Sequence, residues 1–337
     1  MKFPFFKKEK KDLPSTLPPV PIVVGAYGKI PKMGDFVRVG GKPLPSFEQW
    51  IEGGMAAGEK KYGADWPAVY GAGAIHAFAY RAPAAARDGA ALVGILKPSV
   101  DSVGRKFPLT VFAQIPERSV IGAPHVLPLM LGDFLEAATA AALAGDTMTS
   151  ASQYQERIVQ VAAPYMDPEP ASNDYDRWLQ STYLPVAWAS IYGDSESEAP
   201  LIALKSIREA ISPFVDQENL STPLSLRLPL GSGGVAAASF WIDVVRRTAR
   251  WRATMPTCFW SFDGHSGSIR IQLGATPPSS FHELWKPDPD SDSLFDLTNT
   301  TSLEHRNALI ASFPRELAGA LGRADVVVGD ILDLLGR

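Results

Sequence analysis

A single cysteine in 337 residues, Cys258, removes any intrachain disulfide and any cysteine-cluster metal site, and makes a reducing compartment the simplest home. Positive charge is also short. A formal net charge of −4 leaves no basic field to attract a polyanion, so nucleic acid is not an expected partner. No apolar run reaches the roughly 18 to 20 residues that span a bilayer. The first eleven residues, Met1 to Lys11, put a tiny apolar part ahead of the lysines, the reverse of a signal peptide. The expectation is a cytoplasmic chain that does not cross a membrane. Histidines are few: His76, His125, His265, His282 and His305 show no paired metal spacing. Asp288, Asp290 and Asp292 lack the glycine and distal glutamate of an EF-hand loop, so neither metal nor cofactor is expected. What is present is a hydrophobic content of 46% with 20% charged residues, enough for a real core in one large domain or two ordinary ones.

Two stretches carry most of the information. Leu92 to Leu96 is a short continuous apolar run stopped by Pro98, the pattern of a strand buried on both faces. Leu109 to Ile115 alternates, with Leu109, Val111, Ala113 and Ile115 on one face and Thr110, Phe112 and Gln114 on the other. Between them Pro98 and Pro108 each remove a backbone donor and Gly104 permits a positive φ, so the connection reads as a shaped loop. Asp101 and Arg105 are its only opposite charges near enough to pair. An ion pair there would pin the loop, with a contact site as the alternative role. Upstream, Ile22-Val23-Val24 opens a strand leading into Gly25-Ala26-Tyr27-Gly28-Lys29-Ile30-Pro31-Lys32-Met33-Gly34-Asp35-Phe36-Val37-Arg38, where Lys29, Asp35 and Arg38 are expected to decorate the following loop.

The run Pro98-Ser99-Val100-Asp101-x-Val103-Gly104-Arg105-x-Phe107-Pro108-Leu109-Thr110 resembles a signature of the TagF/ImpM family of type VI secretion-associated proteins. The run from Gly25 to Arg38 matches that family's opening pattern, about seventy residues upstream. A Trp66-to-Tyr70 segment, and the order Phe259-Trp260, strand, Gly274-x-x-Pro277 and Phe281-x-x-Leu284, extend the likeness over roughly residues 22 to 285. One departure stands out: where relatives show a Trp-Arg-Phe strand, this chain has His76-Ala77-Phe78. The resemblance implies a cytoplasmic, non-enzymatic accessory factor that restrains type VI secretion after translation. The implied partner is the forkhead-associated (FHA) scaffold protein, held back from the membrane-bound assembly.

Along the rest of the chain, residues 1–21 mix lysines with prolines and read as a solvated tail, with weak membrane-surface contact through Phe3, Phe5 and Phe6 as a minority role. Ser46-Phe47-Glu48-Gln49 reads as a capping box starting a helix to about Lys61, with Phe47, Trp50, Ile51 and Met55 as its buried stripe. Further helices are expected over Asp133–Ala144, capped by Asp133, and over Ser152–Ala163 with Ile158, Val159 and Ala162 inward. The aromatic-rich stretch 166–199 reads as a packed connection with a short helix around Asp174–Thr182. Leu201–Ile211 and Ala236–Arg250 read as helices, Leu224–Leu230 as a strand, and residues 257–262 and 268–273 as a hairpin across Asp263–Gly267. Terminal helices are expected over Leu303–Leu321 and Val326–Leu335.

The fold class that follows is α/β, a sheet flanked by helices in two consecutive lobes that could share one core. The expected division is a tail 1–21, an N-terminal α/β domain 22–165, the connection 166–199, a second α/β lobe 200–295 and a helical extension 296–337. No catalytic constellation is visible: Gly264-His265-Ser266-Gly267 misses the nucleophile elbow, and Gly193-Asp194-Ser195 lies in a polar loop. Gly231-Ser232-Gly233-Gly234 before a helix lacks the lysine of a phosphate-binding loop and reads as a plain turn. Arg246, Arg247, Arg250 and Arg252 suit a helix C-terminus without any ligand. The candidate partner-binding residues are therefore Lys29, Asp35, Arg38, Asp101 and Arg105, expected at one edge of the sheet, either as a partner surface or as a buried structural knot. Two other readings remain: a hydrolase acting in the same phosphoprotein signalling, and a trafficking-type module binding a peptide along a sheet edge.

Overall fold

The computed structural model describes residues 22–83, 89–218, 220–261, 267–301 and 305–336. The expected tail, most of the turn over Asp263–Gly267 and the first residues of the Leu303 helix lie outside them. Among the described residues nine strands form one sheet. They are β1 (Val23–Gly28), β2 (Val37–Gly40), β3 (His76–Arg81), β4 (Ala90–Lys97), β5 (Leu109–Pro116), β6 (Ser225–Pro229), β7 (Thr257–Ser261), β8 (Ser268–Gln272) and β9 (Leu294–Asp296). Their order across the sheet is β2-β1-β5-β4-β3-β7-β8-β6-β9. Every pairing is antiparallel except β6 with β9. Strands from both expected lobes meet where β3 pairs with β7, Phe78 opposite Phe259.

Period-two alternation sends the two faces of this sheet into different cores. On one face Val93, Ile95, Val111 and Ala113 join an aliphatic core; on the other Tyr27, Phe78, Tyr80, Leu92, Leu96, Phe112 and Phe259 form an aromatic one. β4 is therefore buried along its length, as its unbroken apolar run requires.

The aromatic face is covered by α1 (Pro45–Tyr62), α2 (Trp66–Gly71) and the turn segment Pro278–Leu284. Phe47, Trp50, Ile51 and Met55 face inward as their spacing predicts, each burial worth about 1.5–3 kcal/mol. The Trp50 indole nitrogen donates to Ser280 Oγ at 3.0 Å, and the Trp50 ring stacks on Phe259 and meets Phe281 edge-on. The capping box does not form. Proline supplies the first helical residue, Leu44 is the cap, and Ser46, already inside the first turn, reaches the Tyr80 side chain instead.

The aliphatic face is covered by α3 (Leu127–Met130), α4 (Gly132–Ala144), α5 (Ala151–Val159), α6 (Glu169–Ser181), α7 (Leu184–Tyr192), α8 (Ala199–Ile211) and α9 (Gly234–Thr248). Onto these pack α10 (Arg306–Ala311), α11 (Arg315–Leu321) and α12 (Val328–Leu335). α4 follows α3 without an extended residue, so Leu131 occupies the cap position and Asp133 lies in the first turn, where its charge suits the dipole. α5 starts earlier and ends earlier than its pattern suggests: Ser150 caps it by accepting from the Gln153 amide at 3.3 Å. Tyr154 and Ile158 are buried there, and Val159 is 77% exposed. The connecting stretch holds two helices rather than one, with Tyr175, Leu179 and Trp188 buried. Pro314 divides the expected Leu303–Leu321 helix into α10 and α11. No single helix among the described residues is long and apolar enough to cross a membrane.

Candidate functional site

The two signature stretches meet at one end of the sheet beside edge strand β2. Gly28, with φ +134, ends β1 against the backbone of Pro108, and a Cβ there would overlap the Pro108 carbonyl oxygen. The Thr110 hydroxyl donates to the Tyr27 carbonyl at 2.9 Å, so the opening strand and the second signature are joined at their roots.

Above this root the loops close around one carboxylate. Asp101 has no exposed side-chain surface. Its Oδ1 accepts from the Val103 amide at 3.1 Å and the Arg105 amide at 2.8 Å. Its Oδ2 accepts from Lys29 Nζ and from Arg105 Nε, the latter at 2.6 Å. Burial alone would raise this carboxyl's pKa; the hydrogen bonds from Lys29, Arg105 and the two amides outweigh it and hold the group well below the usual carboxylate range. Two further bonds cross between the loops. Arg105 reaches the Gly34 carbonyl at 2.5 Å, and the Ser102 amide donates to the Met33 carbonyl at 3.0 Å. From below, the Tyr70 hydroxyl both donates to the Ser99 carbonyl and accepts from the Ser99 amide, each at 3.0 Å, which explains the place of the Trp66-to-Tyr70 segment.

Of the five residues singled out in the sequence, Lys29 and Asp101 are interior. Asp35, Arg38 and Arg105 are exposed. The expected pairing of Asp101 with Arg105 is present. Lys29 as a second cation on the same carboxylate was missed, because it comes from 72 residues away. Arg38 is not in the loop but on β2, directly opposite Tyr27. That register places its guanidinium 4.9 Å from the Tyr27 ring centroid and 5.5 Å from that of Phe36. Phe36, Tyr27 and Phe107 pack against one another with centroids 4.7 to 5.5 Å apart, closing the base of the loops. Val103, passed over in the sequence, stands 70% exposed at the loop tip.

Elsewhere, buried charges are paired within the fold. Arg270 meets Glu283 at 2.6 Å, and Asp243 holds both Arg246 and Arg247, so two of the four arginines at the end of α9 turn inward. His76 and His125 are pushed down to about 4 by burial, the former with Nδ1 3.1 Å from the Ala74 carbonyl. Ala77 pairs with Ile95 on one side and Trp260 on the other. A cleft of about 570 Å³ beside the Gly231 turn is lined by Tyr192, Arg227 and Thr298 among others, and Arg227 is bound to Asp296 at 2.8 Å. Among the described residues no group of three or more His, Cys, Asp or Glu is placed to hold a metal ion.

Residues 25–161, which contain both loops, match the model of the TagF N-terminal domain, described as type VI secretion system-associated. No curated protein matches the chain. A solved structure, that of PA0076 from Pseudomonas aeruginosa PAO1, is similar over 81% of this chain and 98% of its own, with 21% identity and a TM-score of 0.46.

Proposed function

We propose, from the premise that residues 25–161 are a TagF N-terminal domain of the type VI secretion-associated family, that the protein is a non-enzymatic accessory factor. It restrains secretion after translation by binding the FHA scaffold protein of the system and holding it back. The observation that carries this reading is the locked pair of loops. Lys29 and Asp101 tie them from within, and Asp35, Arg38 and Arg105 are displayed beside those ties, which lowers the ordering cost of binding. A surface held in that way suits recognition.

The two competing readings draw less support. A peptide-binding edge calls for a long uncovered strand, whereas the edge strands β2 and β9 are four and three residues long. A hydrolase calls for shifted acid and base groups facing a cleft. His76, His125 and His282, all lowered by burial, are absent from the lining of the 570 Å³ cleft, and the shifted group that does line it, Tyr192, is pushed up by burial, away from the range of a neutral-pH base.

The test is a pull-down from a lysate of the source bacterium with the full-length protein as bait, read by mass spectrometry. Recovery of the FHA protein by the wild type, and its loss with Arg38→Ala/Arg105→Ala in a variant that stays folded with a melting temperature within a few degrees of wild type, is the expected result. Recovery of no secretion component would overturn the reading.

A further inference from the structure

We infer that the partner engages this site through an acidic surface with an apolar recess, seated on Val103 as the anchor with Arg105 and Arg38 beside it. This rests on the reading of the signature loops as the partner surface and names the chemistry they select.

Two valines of the loop, Val100 and Val103, are exposed, the second by 70%. The described chain does not cover the Val103 side chain, and burial under a partner would be favourable. Nor is Val103 free to fold away: its amide is held by Asp101 Oδ1, the Gly104 amide returns to the Asp101 carbonyl at 3.0 Å, and the Asp101 amide donates to the Arg105 carbonyl at 3.0 Å. The side chain is thus presented at a fixed point, which lowers the ordering cost of burying it in a partner.

Cations outnumber carboxylates among the exposed charges at this end. Arg105 is 62% exposed while spending Nε on Asp101 and one terminal nitrogen on Gly34. Arg38, 66% exposed, lies over Tyr27 and Phe36 with one nitrogen 3.3 Å from Glu48. Lys32 is exposed on the first loop. Of the acids at this end, Asp101 is buried and Glu48 already faces Arg38, leaving Asp35 and Glu52 as exposed carboxylates against Lys32, Arg38 and Arg105. Arginine is among the residues enriched in interface hot spots, Arg38 lies on aromatic rings, and the two cations select carboxylates opposite, with the fixed Val103 tip supplying the apolar contact.

The experiment is isothermal titration of the purified FHA protein into the full-length chain. Val103→Asp and Arg105→Glu are each expected to weaken binding tenfold or more, the first without shifting the melting temperature and the second with a drop of a few degrees from the lost ties to Asp101 and Gly34. Val103→Ile should keep near wild-type affinity, and raising salt from 50 to 500 mM should weaken the wild type more than Arg105→Glu. Wild-type binding that survives both Val103→Asp and Arg105→Glu, or that is insensitive to salt, overturns this inference while leaving the family-based function standing. Absence of wild-type binding overturns that function and this inference with it.

Discussion

Asp101→Asn isolates the interaction that closes the two loops. The carboxylate is enclosed, with two cations on one oxygen and two amides on the other. Its amide replacement offers one acceptor and one donor, so the NH2 must face either the cations or the amides. The larger loss is charge: Lys29, 10% exposed at its side chain, is left without its counter-ion. Breaking a buried pair from one side costs about 3–5 kcal/mol. Arg105, exposed by 62%, contributes no more than about 1 kcal/mol. With an unfolding entropy of about 2.1 cal/mol/K per residue, a loss of about 4 kcal/mol lowers the melting temperature of a 337-residue chain by about 6 °C. Urea unfolding followed by circular dichroism measures it. The pH dependence gives a second reading. The folded carboxyl titrates well below its unfolded value near 3.9, so its contribution is fully present above about pH 5, begins to fall as pH drops through about 4 and is gone only once pH passes below the depressed folded value. The gap between wild type and variant should close over that range. Adding Lys29→Met to Asp101→Asn should recover part of the loss, since it removes the orphaned cation. A cost below about 1 kcal/mol, or strict additivity of the two changes, would refute the reasoning.

Three further outcomes are expected. Gly28→Ala should abolish soluble folding, because φ +134 and the Pro108 carbonyl leave no place for a methyl; Gly104→Ala, with φ +87 but open space around it, should cost about 1–2 kcal/mol, and equal effects would contradict the packing. His76 is neutral in the fold with a pKa lowered to about 4, against about 6.5 unfolded. Its contribution is complete above about pH 6.5 and falls toward pH 4, about 2 kcal/mol being gone at pH 5, and His76→Asn should flatten that part of the stability–pH curve. On α5, Val159→Asp should change stability by less than about 0.5 kcal/mol, while Tyr154→Ala should cost about 3–5 kcal/mol, which chemical denaturation separates readily.

The central hairpin was legible because its physics is local. Leu92 to Leu96 has no polar residue to turn outward, and β4 is buried on both faces. The alternation of Leu109 to Ile115 was read correctly as two unlike faces, yet the difference is aliphatic core against aromatic core, with Gln114 as the exposed residue of that run. Asp101 and Arg105 could be paired from spacing alone. Lys29 could not, since its partner is 72 residues away in sequence and is brought to it only by the pairing of β1 with β5. α7 escaped notice because Leu184-Pro185-Val186-Ala187-Trp188-Ala189-Ser190-Ile191-Tyr192 is apolar nearly all round, leaving no period to read. The caps failed for a related reason: Ser46 and Asp133 carry the right chemistry, but Pro45 and the preceding α3 set the helix starts.

The contact between Trp50 and Ser280 spans 230 residues, and it orders events at the ribosome. At roughly 5–20 residues per second, α1 waits about ten to fifty seconds for the rings of Phe259 and Phe281 that share its core. Through that interval Phe47, Trp50 and the inner face of β3 are without their final cover, which makes the newborn N-terminal half a natural client for chaperones. Its aromatic core is sealed only when the last third of the chain arrives.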